Sequence, residues 1–332
     1  MTSSVPASSL LVALSSLALV VLGPVVPAQA SPAQAGPVQA LSEACRAAGP
    51  AAEATRGRVP DTSAFTREEL RDVDQEIRRT DGSRAATYRQ ARTSGVIDVH
   101  IHVIGSKAAR GPKRTRVDRQ MSVLTEAYAA GQSPLSAVAP FTFQEASFER
   151  VRNSSWHRAR PGSSADREMR QELHRGGRDA LNVYVLAPRL PRSVGPGTLL
   201  GWSTLPWQVH GKGVQDGISV HKATLPGSGS SQPGFVGFDS GDTLVHESGH
   251  WLGLLHTFEG GCTAENDFVE DTPAQATASV TCVVGTDTCE LPGEDPVRNF
   301  MDYAPDDCMD MFTAGQVERM AASFVTYRAP TT

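Results

Sequence analysis

Apolar and polar residues alternate with a period of two over residues 96–104, which places Ile97, Val99, Ile101 and Val103 on one face and His100 and His102 on the other. That is the pattern of a half-buried strand. Residues 116–131 change period: Met121, Leu124 and Tyr128 line one side of a helix that Gly131 stops. Residues 141–151 and 181–187 read again as strands, with a polar helix over 164–175 between them. Strand, helix, strand, helix, strand predicts an α/β domain with a mixed, largely parallel sheet. The stretch 188–241 is rich in Gly, Pro and Ser, and only 216–221 resembles a strand. Irregular stretches of this length inside a domain are usually functional, and 216–221 is expected to be an edge strand open to an extended peptide. Residues 312–327 predict a last helix, with Thr313 and Gln316 spaced as a capping box.

Before residue 96 the pattern weakens. Residues 66–79 predict a charged surface helix, and the basic, polar run 78–95 suits a linker or a site of proteolytic processing. Residues 31–60, rich in Ala, Pro, Gly and Gln, promise little packing. Residues 10–26 are an apolar run, broken by Pro24 and closed by Pro27, with Ala-Gln-Ala at 28–30. This is a signal-peptide core with a cleavage site before Ser31, although no Lys or Arg precedes it. A membrane span is the competing reading, but the run is short for one and ends in prolines. The expected organisation is a signal peptide (1–30), a prosegment (31–92) and a catalytic domain (93–332), secreted and without stable membrane association. The net charge of −5 and the absence of a basic block give no reason to expect a nucleic-acid partner. Oligomeric state is not legible in the sequence.

The chemistry concentrates in His-Glu-Ser-Gly-His-Trp-Leu-Gly-Leu-Leu-His, residues 246–256, which holds three of the nine histidines. His246 and His250 are four apart, so a helix stacks both imidazoles on one face. Glu247 lies beside them, where a carboxylate can take a proton from a metal-held water. Gly253 tolerates positive φ and can turn the chain so that His256 returns as a third nitrogen. Three neutral ligands and one open position make a catalytic zinc site, at which the pKa of water falls from about 15.7 to about 7. Chance histidines on a surface helix would complete this eleven-residue pattern with odds on the order of 10⁻⁴. His100 and His102 could also share a metal, but packed or solvent-facing strand histidines are much commoner.

This extended motif is the signature of the metzincin proteases, which also have a methionine turn downstream; Met301 in "NFMDY" is the candidate. Together "TLVHESGHWLGLLHTFEGGC", "DFVEDTPAQ" and "NFMDYAPDDCMDMFTAGQVERM" resemble the pappalysin family, ulilysin-like members included, over roughly residues 96–328. The resemblance implies a secreted zinc endopeptidase acting on peptide or protein substrates. It further implies a zincin-like fold: a twisted sheet and two long helices above, an active-site helix near 240–252, and an irregular, disulfide-stapled part below. On the family pattern His246, His250 and His256 are the zinc ligands, Glu247 is the general base and Met301 forms the turn. Tyr303 stabilises the tetrahedral intermediate in that pattern, although a buried structural tyrosine is equally compatible with the residues themselves.

Thirteen Asp or Glu and a single base, Arg298, lie between residues 257 and 312. A solvated acidic surface would account for such a run, but the resemblance implies calcium, with Asp267, Asp271 and Thr272 as candidate ligands. The late cysteines, Cys262, Cys282, Cys289 and Cys308, allow three pairings; the resemblance implies Cys262–Cys289 and Cys282–Cys308. It also puts Asp307 at the floor of a pocket for a basic side chain after the scissile bond. Cys45 is left odd. The resemblance makes it a zymogen switch whose thiolate ligates zinc, in spite of Arg46 where the family commonly has Gly; disorder or intermolecular pairing are the alternatives. Activation would cut within 78–95, with Arg84, Arg89 and Arg92 as candidate autolytic sites. The alternative function is an inactive, zinc-binding protease homologue that serves as a binding module.

Overall fold

The computed structural model describes residues 65–83, 95–189, 199–209, 215–232 and 234–330, all within the compact unit Gly49–Thr332. The signal segment, Cys45, Arg84, Arg89 and Arg92 lie outside the described residues. Strand β1 (Gly95–Gly105) runs parallel to β2 (Phe141–Arg152) on one side and to β3 (Leu181–Leu186) on the other. β3 pairs in parallel with β5 (Ile218–His221), and β4 (Gly201–Ser203) closes the far edge antiparallel to β5. The order is β2-β1-β3-β5-β4. The mixed, largely parallel sheet is therefore as expected, with one correction. Residues 216–221 do not form the edge, because β4 covers them; its Gly-Trp-Ser is too short, within a Gly- and Pro-rich run, to show a period.

Alternation in β1 decides the two layers. Ile97, Val99, Ile101 and Val103 are buried in the main core, which α2 (Arg114–Tyr128) and α4 (Asp242–Trp251) cover. Gln120 Nε2 donates to Gly241 O at 2.8 Å, fastening α2 to the start of α4. Behind the sheet, α3 (Ser164–Leu173) packs Met169 and Leu173 against Ile104, Tyr184 and Trp202. His102 lies on this rear face, held by Glu149 (2.7 Å) and Asn182 Oδ1 (3.0 Å) and stacked on Tyr184. It is a packed strand histidine.

Beyond α4 the chain is irregular as far as α5 (Ala314–Ser323), which continues into a π-helical turn, Phe324–Arg328. The cysteines pair as Cys262–Cys289 and Cys282–Cys308. In the chain-entropy model, closing loops of 27 and 26 residues contributes about 3.5 kcal/mol each. Thr313 and Gln316 form the expected capping box at the start of α5. Helix α1 (Arg67–Ser83) carries its charges on its outer side, Asp74 excepted. Leu70, Asp74 and Ile77, at i, i+4 and i+7, are buried. Leu70 clusters with Leu255 and Phe268, and Ile77 with Ala322 and Tyr327. The charged face is at the surface, as expected, but the helix is also packed into the domain through its inner face.

Candidate active site

Every residue of α4 is buried, so its polar side chains are placed by the fold. The helix starts at Gly241, whose φ of 110° breaks the preceding chain. The amides of Ser240 and Gly241 donate to Asp306 Oδ2 at 2.8 and 3.1 Å, a carboxylate at the positive end of the helix dipole. Gly253, at φ +102°, turns the chain away at the other end, and a Cβ there would lie 2.2 Å from Ser323 Oγ. The turn returns His256 to the two helix histidines, as the spacing predicted.

The three imidazoles converge through Nε2. His250 Nε2 lies 3.1 Å from Nε2 of both His246 and His256. Each Nδ1 already faces an acceptor: Phe300 O at 2.6 Å for His246, Leu254 O at 2.8 Å for His250, and Glu259 Oε2 at 3.2 Å for His256. These contacts fix the proton on Nδ1 and leave three Nε2 lone pairs aimed at one point. Three such lone pairs repel unless a cation lies between them. Tetrahedral zinc with bonds of about 2.0–2.1 Å separates its nitrogens by about 3.3 Å, close to the spacing found. Among the described residues these three are the one group of His, Cys, Asp or Glu whose ligand atoms converge for a metal. Burial and the neighbouring His256 hold His250 well below the usual histidine pKa, so it stays a neutral ligand.

Glu247 lies on the same helix under edge strand β4. A Cβ built on Gly201 would come 2.8 Å from Glu247 Oε1 and 2.9 Å from its Cγ, so only glycine leaves the carboxylate its position. Tyr303 OH is 3.1 Å from His256 Nε2, at the rim of the triad. Phe258 stacks flat on His256, with ring centroids 4.8 Å apart. Met301 is fully buried beneath α4, where a Cβ on Gly249 would meet its Sδ at 2.4 Å. Met301 N donates to Asn299 Oδ1, and Met301 O accepts from Thr257 N, tying the turn to the end of the zinc motif.

The three neighbouring acids separate clearly. Asp307 is exposed, Asp306 caps α4, and Asp310 pairs with Arg298. Of the calcium candidates, Asp267 is buried and its carboxyl is pushed up to about 8 by desolvation, against which the Val269 N–H acts. Thr272 is buried with its side chain against the Asp267 carboxyl, and Asn266 Oδ1 nearby is buried without a hydrogen-bond partner. Asp271 is exposed and accepts from Gly315 N, at the first turn of α5. Glu259, Asp306 and Gly201 are site residues that the sequence reading missed. Glu259 was within reach, because an acid three residues after a ligand can return to its ring. The other two act across long separations and left no local sign.

A zinc-type triad of two helix histidines and a third returned by the following turn, under the antiparallel edge strand of a largely parallel sheet, with a methionine turn below, defines a metalloprotease of the metzincin class. A family model described as pregnancy-associated plasma protein-A, the M43 peptidases, matches residues 237–325. An extracellular metalloprotease of Pyricularia oryzae is 37% identical over 245 residues, covering 72% of this chain and 78% of the relative. One from Coccidioides posadasii is 36% identical over 239 residues, covering 70% and 78%. Mature mirolysin of Tannerella forsythia, solved with a cleaved peptide, aligns with a TM-score of 0.58 at 25% identity, covering 70% of this chain and 95% of that one. A promirolysin mutant aligns with a TM-score of 0.58 at 26% identity, covering 77% and 92%. The chain belongs to the pappalysin family of metalloproteases.

Proposed function

We propose that this protein is a secreted zinc endopeptidase, made as a latent zymogen, in which Glu247 activates the attacking water. The convergence of three Nε2 atoms at 3.1 Å with Glu247 beside them carries the reading. His246, His250 and His256 would hold the zinc, which supplies Lewis acidity that makes water nucleophilic near neutral pH. Glu247 takes the proton from the attacking water and returns it to the leaving amine. The Tyr303 hydroxyl, 3.1 Å from a ligand nitrogen, donates to the developing oxyanion. Strand β4, the last strand of the sheet among the described residues, receives an extended substrate and aligns the scissile carbonyl over Glu247.

Asp307, exposed at the foot of the methionine turn, selects a basic residue after the scissile bond. Cys45 in the prosegment blocks the zinc until a cut within 78–95, at Arg84, Arg89 or Arg92. Calcium occupies the loop of Asp267 and Thr272; the orphaned Asn266 Oδ1 favours that residue as the third oxygen over Asp271, which is engaged with Gly315. Extracellular relatives, and no described helix long and apolar enough to cross a membrane, agree with secretion. Stripping the activated enzyme with a chelator and titrating zinc back tests the reading: activity should vanish and return at one equivalent. Full activity in the stripped protein would exclude it.

A further inference from the structure

Helix α1 belongs by sequence to the segment upstream of the processing region, yet its inner face is spent on the loops that carry the zinc motif. Asp74 Oδ1 lies 2.6 Å from Arg319 Nη1, in a buried pair. The same guanidinium donates through Nε to Gly253 O at 3.1 Å. Gly253 is the residue at which the chain turns to deliver His256. Leu70 packs on Leu255, the residue immediately before His256. Further contacts hold the helix on either side: Arg67 and Arg71 on Glu265, and Glu76 on the Tyr327 hydroxyl.

We propose that α1 is a permanent brace of the zinc-binding turn, working through Asp74 and Arg319 on Gly253 and through Leu70 on Leu255, and that it stays docked when the connection 84–94 is cut. The activated enzyme is then a two-chain molecule, and Asp74 is a positioning residue for the third ligand. The docked face supports retention. It combines two apolar clusters with a buried ion pair, and loss of Asp74 would take from the buried Arg319 its directly paired carboxylate, leaving the Gly253 carbonyl, the Phe268 ring and the Asp267 carboxyl around it. The zinc reading underlies the positioning role, but the packing of the turn can be followed without metal.

The test uses full-length protein carrying Cys45→Ala, so that no thiol competes for the site. In the metal-free form, backbone amides of 252–256 should exchange hydrogen about 10-fold faster in Asp74→Ala than in the parent, with distant strands unchanged. In the loaded form, zinc release to a chelator should be about 10-fold faster, kcat lower and KM unchanged, with Asp74→Glu recovering part of each. Parental exchange and zinc release in Asp74→Ala would overturn the brace, whatever happens to its melting temperature. Cutting 84–94 in the loaded wild-type enzyme gives a second measurement that does not depend on a variant folding. The helix fragment should co-elute with the enzyme on gel filtration; a fragment that separates overturns its retention. A protein that passes these tests but cleaves no peptide would keep the brace and lose the peptidase reading.

Discussion

Gly201→Ala adds a single methyl group to β4, and the structure says what it meets. The new Cβ would lie 2.8 Å from Glu247 Oε1, 2.9 Å from its Cγ and 3.1 Å from its Cδ. Ordinary contact begins near 3.4 Å, so the carboxylate must withdraw by about 0.6 Å or more. A catalytic group misplaced by 1 Å can cost about 100-fold in rate. We expect kcat to fall by roughly 10- to 100-fold, which is about 1.4–2.7 kcal/mol of barrier. The histidines are untouched, so zinc stoichiometry should stay at the parental value. Backbone stability should hold or rise slightly, since alanine in a strand loses less freedom on folding than glycine. A fluorogenic peptide gives kcat and KM, metal analysis the zinc content, and a thermal melt the stability. A kcat within twofold of wild type in fully loaded enzyme would refute the reasoning. A rise in KM alone would assign Gly201 to substrate seating and leave Glu247 undisturbed.

Glu259→Gln keeps the shape of the partner of His256 Nδ1 but removes its charge, and zinc affinity by chelator competition should weaken about 10- to 100-fold; unchanged affinity would make the contact incidental. Asp267 has a folded pKa of about 8, above its ordinary value of 3.8, so in chelator the unfolded state binds fewer protons through that window. The stability difference between the metal-free parent and Asp267→Asn should therefore shift against the parent as pH rises from about 4 to 8, the buried histidines acting alike in both proteins, and calcium should flatten that slope; a difference that moves in the parent's favour over this range contradicts burial as the cause. Arg328 is fully buried, paired with Asp216 at 2.7 Å and bonded to Trp251 O at the end of α4. Arg328→Met strands that carboxylate and should cost about 3–5 kcal/mol in denaturant unfolding, most of it recovered when Asp216→Asn is added.

How much was legible before the structure depended on the range over which each feature acts. The β1 alternation, the capping box at Thr313 and Gln316, and the His246–Glu247–His250 spacing are local, so the sequence carried them in full. Gly253 was readable because the spacing to His256 demanded a turn, and only a positive φ provides it. Strand β4 was hidden: three residues inside a Gly- and Pro-rich stretch hold no period, and their placement depends on pairing with β5. The docking of α1 was hidden differently. Its inner face includes Asp74, which reads as polar until Arg319, far along the chain, supplies the counter-charge. Asp306 and Asp307 are adjacent and chemically alike, and only the position of the α4 amides separates the buried cap from the exposed acid.

The central claim is peptide-bond hydrolysis that depends on Glu247, and one measurement reaches it directly. Activated wild-type enzyme and Glu247→Ala, both loaded with zinc, are incubated with a mixed peptide library, and the products are sequenced by mass spectrometry. Internal cuts by the wild type alone, concentrated before Arg or Lys, are the expected result. Equal cutting by both proteins, or zinc-loaded wild type that cuts nothing, would contradict it.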